Sequence, residues 1–220
     1  MAALAIAHRG DPYHHRENTL PSLRSALRAG ADAVEMDVRL TRDGVPVLLH
    51  DPTLERLWGV GSAVADTPSD RLPHGVPTLY EALAAVDGCR ALVDLTLPRS
   101  AAPVLAAVRD AGAGDRTYYC GEAFAMLAVR DRDPAAEIAL TWKTSAPVPP
   151  LLLSELRPRW INLRFGLVRP PLVEWARGEG LLVGAWTVDL RRTMRRLERL
   201  GADAVTSNRI AVLREVLGGR

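Results

Sequence analysis

The sequence predicts an α/β fold, a compact (β/α)8 TIM barrel, and three observations carry that prediction. Short apolar runs alternate with segments of helical period to the end of the chain, the pattern of a parallel sheet covered by helices. Eight such units fit into 220 residues, the economy of a small closed barrel. The first strand-to-helix turn, His8-Arg9-Gly10-Asp11-Pro12, lacks the GxGxxG glycines that an open doubly wound sheet would want there.

Taken in order, strand-like runs fall at 4–8, 33–40, 45–50, 91–95, 117–120, 137–142, 160–163, 181–187 and 204–207. Helical periods fall between most of them, at 19–29, 78–86, 101–111, 123–131, 171–179, 190–200 and 210–217. Gly30, Gly112, Gly180 and Gly201 follow helices, where a left-handed residue closes the last turn. Nine strands are one more than the barrel needs. Thr41-Arg42-Asp43-Gly44 leaves no room for a helix, and Asp-Gly is a hairpin signal. Either that pair folds back antiparallel or the barrel is irregular there. One stretch breaks the rhythm: residues 52–77 hold three prolines after Pro52, and Gly59, Gly61 and Gly75, with little periodicity. They read as a loop excursion from a single barrel spanning 1–220, with no second apolar core.

Composition narrows the function. Apolar residues make up 48% and charged residues 25%, a balance that excludes disorder as the main state. The formal charge of +2, built from 27 arginines and one lysine (Lys143), argues against a nucleic-acid binder. No apolar run approaches the length of a membrane span, so stable membrane insertion is not expected. Cys89 and Cys120 have neither disulfide-framework nor zinc-site spacing. The start, Met1 to His8, lacks a basic leader segment, and the expected compartment is the cytoplasm.

Chemistry shows where ionisable residues replace apolar ones in strands. His8 and Arg9 end the first run, His50 and Asp51 end the third, and Asp94 interrupts the fourth. Glu35 and Asp37, two apart in one strand, share a face, while Val34, Met36 and Val38 take the other. Strand C-termini converge on one end of a barrel. Carboxylates crowded there resist burial unless a cation compensates. One hard divalent cation, Mg²⁺ or Ca²⁺, held by Glu35, Asp37 and Asp94 is the economical explanation, and with no cysteine expected nearby a soft metal is disfavoured.

Together, His8-Arg9-Gly10, Glu17-Asn18-Thr19, Glu35-x-Asp37, Thr41-x-Asp43-Gly44 and Val47 to Asp51 closely resemble the glycerophosphodiester phosphodiesterase family. Pro77-Thr78-Leu79-x-Glu81 and the segments 185–188 and 201–207 extend the resemblance over nearly the whole chain. It implies a TIM barrel that hydrolyses glycerophosphodiesters to sn-glycerol 3-phosphate and an alcohol. Carried over, it implies His8 and His50 as the acid/base pair, Glu35 and Asp37 as metal ligands, and Arg9 on the phosphate. Trp186 reads either as an apolar wall for the glycerol moiety or as a tryptophan packing the core or rim, and a cyclic phosphate is a conceivable intermediate. Asn18 reads as the N-cap of the first helix.

Departures accompany the matches. Asp94-Leu95-Thr96 stands where the family usually has Glu-x-Lys, so one positive charge is missing. Cys120-Gly121-Glu122 and Ser207-Asn208 also differ from the family's usual residues. Two alternatives follow: a lysophospholipase D or sphingomyelinase D-like phosphodiesterase, or a catalytically weak relative that keeps the metal and phosphate pocket. The five arginines between 191 and 199 read as a solvated helix face, with transient attraction to an anionic membrane as the alternative. The expected partner is a small-molecule phosphodiester.

Overall fold

The computed structural model describes residues 3–218. Among them run nine strands, β1 (Leu4–Ala7), β2 (Ala33–Leu40), β3 (Pro46–Leu48), β4 (Arg90–Leu95), β5 (Thr117–Gly121), β6 (Ile138–Trp142), β7 (Trp160–Arg164), β8 (Leu182–Trp186) and β9 (Ala204–Ser207). The helices are α1 (Leu20–Arg28), α2 (Glu55–Trp58), α3 (Leu79–Ala85), α4 (Ala101–Asp110), α5 (Ala123–Arg132), α6 (Pro150–Leu156), α7 (Pro170–Gly178), α8 (Arg191–Leu200) and α9 (Ile210–Gly218).

All strands but β3 pair in parallel and close into a barrel, the last contact being β1 on β2 through Ile6 with Ala33 and Ala7 with Val34. β3 is the extra strand. It pairs antiparallel with β2, Val38 facing Leu48, after a turn in which Gly44 takes φ +82° and its N–H donates to the Thr41 carbonyl. The hairpin reading of Asp43-Gly44 is therefore the correct one of the two.

Strand alternation fills the barrel in layers. Ile6, Leu92, Tyr118 and Trp160 plug the lower lumen, with the small residues Ala33, Ala139 and Ala204 between them. Each large side chain buried this way contributes roughly 2–3 kcal/mol. Trp160 Nε1 donates to Glu137 Oε1 at 2.7 Å, and Arg90 pairs with the same carboxylate at 2.8 Å, while the buried Tyr118 hydroxyl has no partner among the described residues. Outward-facing Val34, Met36 and Val38 join the larger core with Leu23 of α1 and Leu79 and Leu83 of α3.

Two helices were absent from the sequence reading. α6 starts on consecutive prolines, which suit a first helical turn but hide it in a run of leucines without period. α2 is a single turn inside the 52–77 excursion. That excursion also packs a small apolar cluster, Val47, Leu49, Leu54 and Val64, a satellite beneath the loop. Leu54 and Val64 come from irregular chain, so periodicity could not reveal it.

Candidate active site

Six of the eight barrel strands deliver a polar or ionisable residue to the upper layer. Asp37 on β2 stands in register with Asp94 on β4, and Glu35 lies two residues earlier on the same face. One carboxylate oxygen from each of Glu35, Asp37 and Asp94 lies within 4.8 Å of the others. The turn after β1 braces them. Arg9, at φ +57°, aims its backbone N–H at Glu35 Oε2 (2.9 Å), and Asn18, at φ +55°, donates from Nδ2 to Asp37 Oδ2 (2.7 Å). Asp37 N–H returns a bond to Asn18 Oδ1 (3.2 Å). Asn18 is thus not the helix cap expected of it; its left-handed backbone turns the amide inward, and Thr19 occupies the N-cap position.

Burial, and then the Asp37 and Asp94 charges, push Glu35 well above the usual carboxylate range. Burial and Asp37 likewise raise Asp94 to about 7. Three converging carboxylates held against their own repulsion fit a hard divalent cation, whose charge relieves both causes. Cys120 corrects another expectation. It faces Asp94 in register and lines the same cavity, although the sequence placed no cysteine nearby. Burial, reinforced by the neighbouring carboxylates, raises its pKa well above the ordinary range, and the group of candidate ligands found among the described residues is the oxygen set Glu35, Asp37 and Asp94.

The two histidines are oriented differently. His8 Nδ1 meets Asn208 Oδ1 at 2.7 Å. Asn208 Nδ2 donates to Asp189 Oδ2 (2.8 Å), which fixes the amide with its oxygen toward the ring. Nδ1 therefore carries the proton, and the free Nε2 stands 3.9 Å from Glu35 Oε2. Burial and the Arg9 charge lower the His8 pKa from the ordinary imidazole value. His50 is exposed, two residues beyond the end of β3, and its Nδ1 donates to Asp51 Oδ1 at 2.8 Å. Asp51 is held at a pKa of about 2 chiefly by Arg56, which also pairs with Glu17 (2.6 Å). Glu17 accepts in turn from Arg9 Nη1 (2.9 Å), so the loops bearing the two histidines are tied through Arg56 of α2.

All seven residues singled out by the sequence, His8, Arg9, Glu35, Asp37, His50, Asp94 and Trp186, line one cavity of about 350 Å³. Arg9 is clamped between Glu17 and Asp37, with Nε 3.0 Å from Asp37 Oδ2 but not aligned for a hydrogen bond. Trp186 borders the cavity at the end of β8, its Nε1 buried without an acceptor among the described residues. Arg39 was missed. It continues the Glu35, Asp37 alternation by two residues, and period 2 alone could have found it. Its Nη1 donates to Thr96 Oγ1 (3.2 Å) and its Nε to the His50 carbonyl (3.0 Å). Lys143 also lines the cavity, paired with Glu122. Asn208 and Asp189 carried no local signal, because only closure of β9 onto β1 brings them to His8.

The chain has well-defined relatives. Residues 8–212 match the model of the glycerophosphoryl diester phosphodiesterase family. A glycerophosphodiester phosphodiesterase of Caldanaerobacter subterraneus subsp. tengcongensis is 25% identical over 94% of this chain and 95% of its own length. A probable glycerophosphodiester phosphodiesterase 2 of Mycobacterium tuberculosis is 29% identical over 99% and 91%. Among solved structures, an Oleispira antarctica phosphodiesterase in complex with the product sn-glycerol-3-phosphate superposes with a TM-score of 0.89 at 24% identity, over 99% of this chain and 97% of that one.

Proposed function

Because this chain belongs to the glycerophosphoryl diester phosphodiesterase family, we propose that it hydrolyses glycerophosphodiesters to sn-glycerol 3-phosphate and an alcohol, with His8 and His50 as the proton-transfer pair. The observation that carries this reading is the His8 ring, its Nδ1 held by Asn208 and its Nε2 presented to the carboxylate cluster. The similar Oleispira antarctica enzyme, which holds sn-glycerol-3-phosphate, supports the product.

Glu35, Asp37 and Asp94 would hold one divalent cation, Mg²⁺ or Ca²⁺. When bound, that ion supplies charge neutralisation to the phosphoryl oxygens. Every other part belongs to side chains. Arg9, immobilised by Glu17, presents its guanidinium to the anionic phosphate. His8 Nε2 accepts the proton of the attacking hydroxyl, which belongs either to water or to the substrate's own glycerol. His50, its Nδ1 engaged by Asp51, uses Nε2 to return a proton to the departing alkoxide. Trp186 closes one wall of the cavity against the glycerol carbons.

The test is release of sn-glycerol 3-phosphate from glycerophosphocholine, first with EDTA and then with Mg²⁺ or Ca²⁺ restored. Metal-restored release is expected. No release with either metal, from folded protein, overturns the reading.

A further inference from the structure

Among the described residues, every large apolar side chain that stands out from the surface lies at one end of the barrel. Tyr13 sits between β1 and α1, Tyr80 in the first turn of α3, and Phe124 and Leu151 in the first turns of α5 and α6. Phe165 directly follows β7, and Leu190 is the N-cap of α8. The two smaller members, Val60 in the excursion and Leu97 after β4, share that end. Strand C-termini and helix N-termini meet there, so this is the face that opens onto the carboxylate cluster. The opposite end, built from helix-to-strand turns such as Gly30 to Asp32 and Gly112 to Gly114, exposes none among the described residues.

Single exposed apolar residues are ordinary; their confinement to one face is not. Phe124 is 79% exposed, Leu151 70% and Leu190 55%, and none of the three lines the cavity, so substrate binding does not account for them.

Charge identifies what would cover them. The connections that follow β4 to β8, with the last residue of β7 and the first turn of α8, carry Arg99, Lys143, Arg164, Arg169, Arg191 and Arg192, of which Lys143 pairs with Glu122 and Arg191 with Glu215. Their acidic residues are Glu122, already paired with Lys143, and Asp189, already engaged with Ser207 and Asn208. Apolar tips set among basic residues match a surface that is apolar below and anionic on top. A second copy of the chain, docked through this arc by a twofold axis that crosses it, would oppose basic residues to basic residues.

We propose that the cavity-bearing face docks on an anionic phospholipid surface, with Phe124, Leu151 and Leu190 entering the headgroup layer. The docking follows from the fold and the surface, independently of the diesterase reading, and it sets the cavity mouth against the lipid headgroups. It is peripheral, since no described helix is long and apolar enough to cross a membrane.

The full chain is sedimented with vesicles of phosphatidylglycerol and, separately, of phosphatidylcholine. It is expected to partition onto the first and far less onto the second. Combining Phe124→Ser, Leu151→Ser and Leu190→Ser should lower the partition coefficient by about tenfold or more, with an unchanged melting temperature. Combining Arg169→Gln and Arg192→Gln should also lower it by about tenfold or more. The proposal is overturned by absence of binding to phosphatidylglycerol, by equal binding to phosphatidylcholine, or by a serine variant that binds like its parent. Light scattering that shows a dimer abolished by the serine substitutions would assign the face to a second copy instead. Hydrolysis of glycerophosphoglycerol, measured alongside, should be equal in parent and serine variant; its absence from both would count against the diesterase alone.

Discussion

Arg39 donates through Nη1 to Thr96 Oγ1, 3.2 Å away, joining β2 to the end of β4 beside Asp94. Thr96 stands where the resemblance leads one to expect a lysine, and Arg39 brings a cation to the same place. The alternation that points Glu35 and Asp37 into the barrel points Arg39 there as well. The same guanidinium holds the His50 carbonyl, so it couples the carboxylate cluster to the second histidine.

Removing that cation should therefore reduce turnover. Arg39→Met is expected to lower kcat/KM about 10- to 100-fold, the range of a charge-assisted hydrogen bond lost near the reacting group. Adding Thr96→Lys to that variant should recover part of the loss. A double-mutant cycle measures the coupling, and strictly additive effects would dissociate Arg39 from position 96.

Asn208 is a positioning residue for His8. Replacing it with Leu removes the acceptor that holds the proton on Nδ1 and frees the ring to rotate. The expected result is a fall in kcat of about 100-fold with little change in KM, as misplacement of a reacting group gives. The acid limb of the pH–rate profile should shift as well, which a merely structural role would not produce.

Metal affinity should rise with pH. Asp94 is raised to about 7 and Glu35 in the same direction, so the cluster holds protons more tightly than ordinary carboxylates and a cation must displace them. Calorimetry in two buffers of different ionisation enthalpy should show net proton release at pH 6.5. Linkage gives the sign for the metal-free protein. A carboxyl raised on folding holds more protons folded than unfolded between its ordinary pKa and about 7, so stability falls as pH rises through that window. Added Mg²⁺ or Ca²⁺ should restore it, most strongly above pH 7.

Gly10 admits no side chain. A Cβ there would lie 2.4 Å from Ser22 Oγ and 2.6 Å from the Ser22 carbonyl carbon, and φ is +88°. Gly10→Ala should destabilise the fold by about 3 kcal/mol, read from urea unfolding, since both backbone strain and the approach of α1 oppose it.

The parts of the site legible in the sequence were those whose geometry is local. Glu35 and Asp37 follow from period 2 in one strand, and His8 and His50 from their places at strand ends. Asp94 needed only the barrel to bring β4 beside β2. Hidden parts depended on chain closure or on backbone conformation. The Asp189–Asn208–His8 relay exists because β9 pairs with β1. Asn18 looked like a cap because asparagine favours that position, yet a left-handed φ turned it onto Asp37. Cys120 was misplaced for a related reason: register across β4 and β5, not sequence distance, sets it opposite Asp94.

In the proposed reaction His8 moves a proton beside a metal held by other residues. His8→Ala tests it most directly when Mg²⁺ affinity and sn-glycerol 3-phosphate release are measured on the same preparation. The expected result is a loss of hydrolysis of about 10²- to 10⁴-fold with metal affinity within a few-fold of the parent. Unchanged hydrolysis would contradict it, and so would loss of metal binding together with activity.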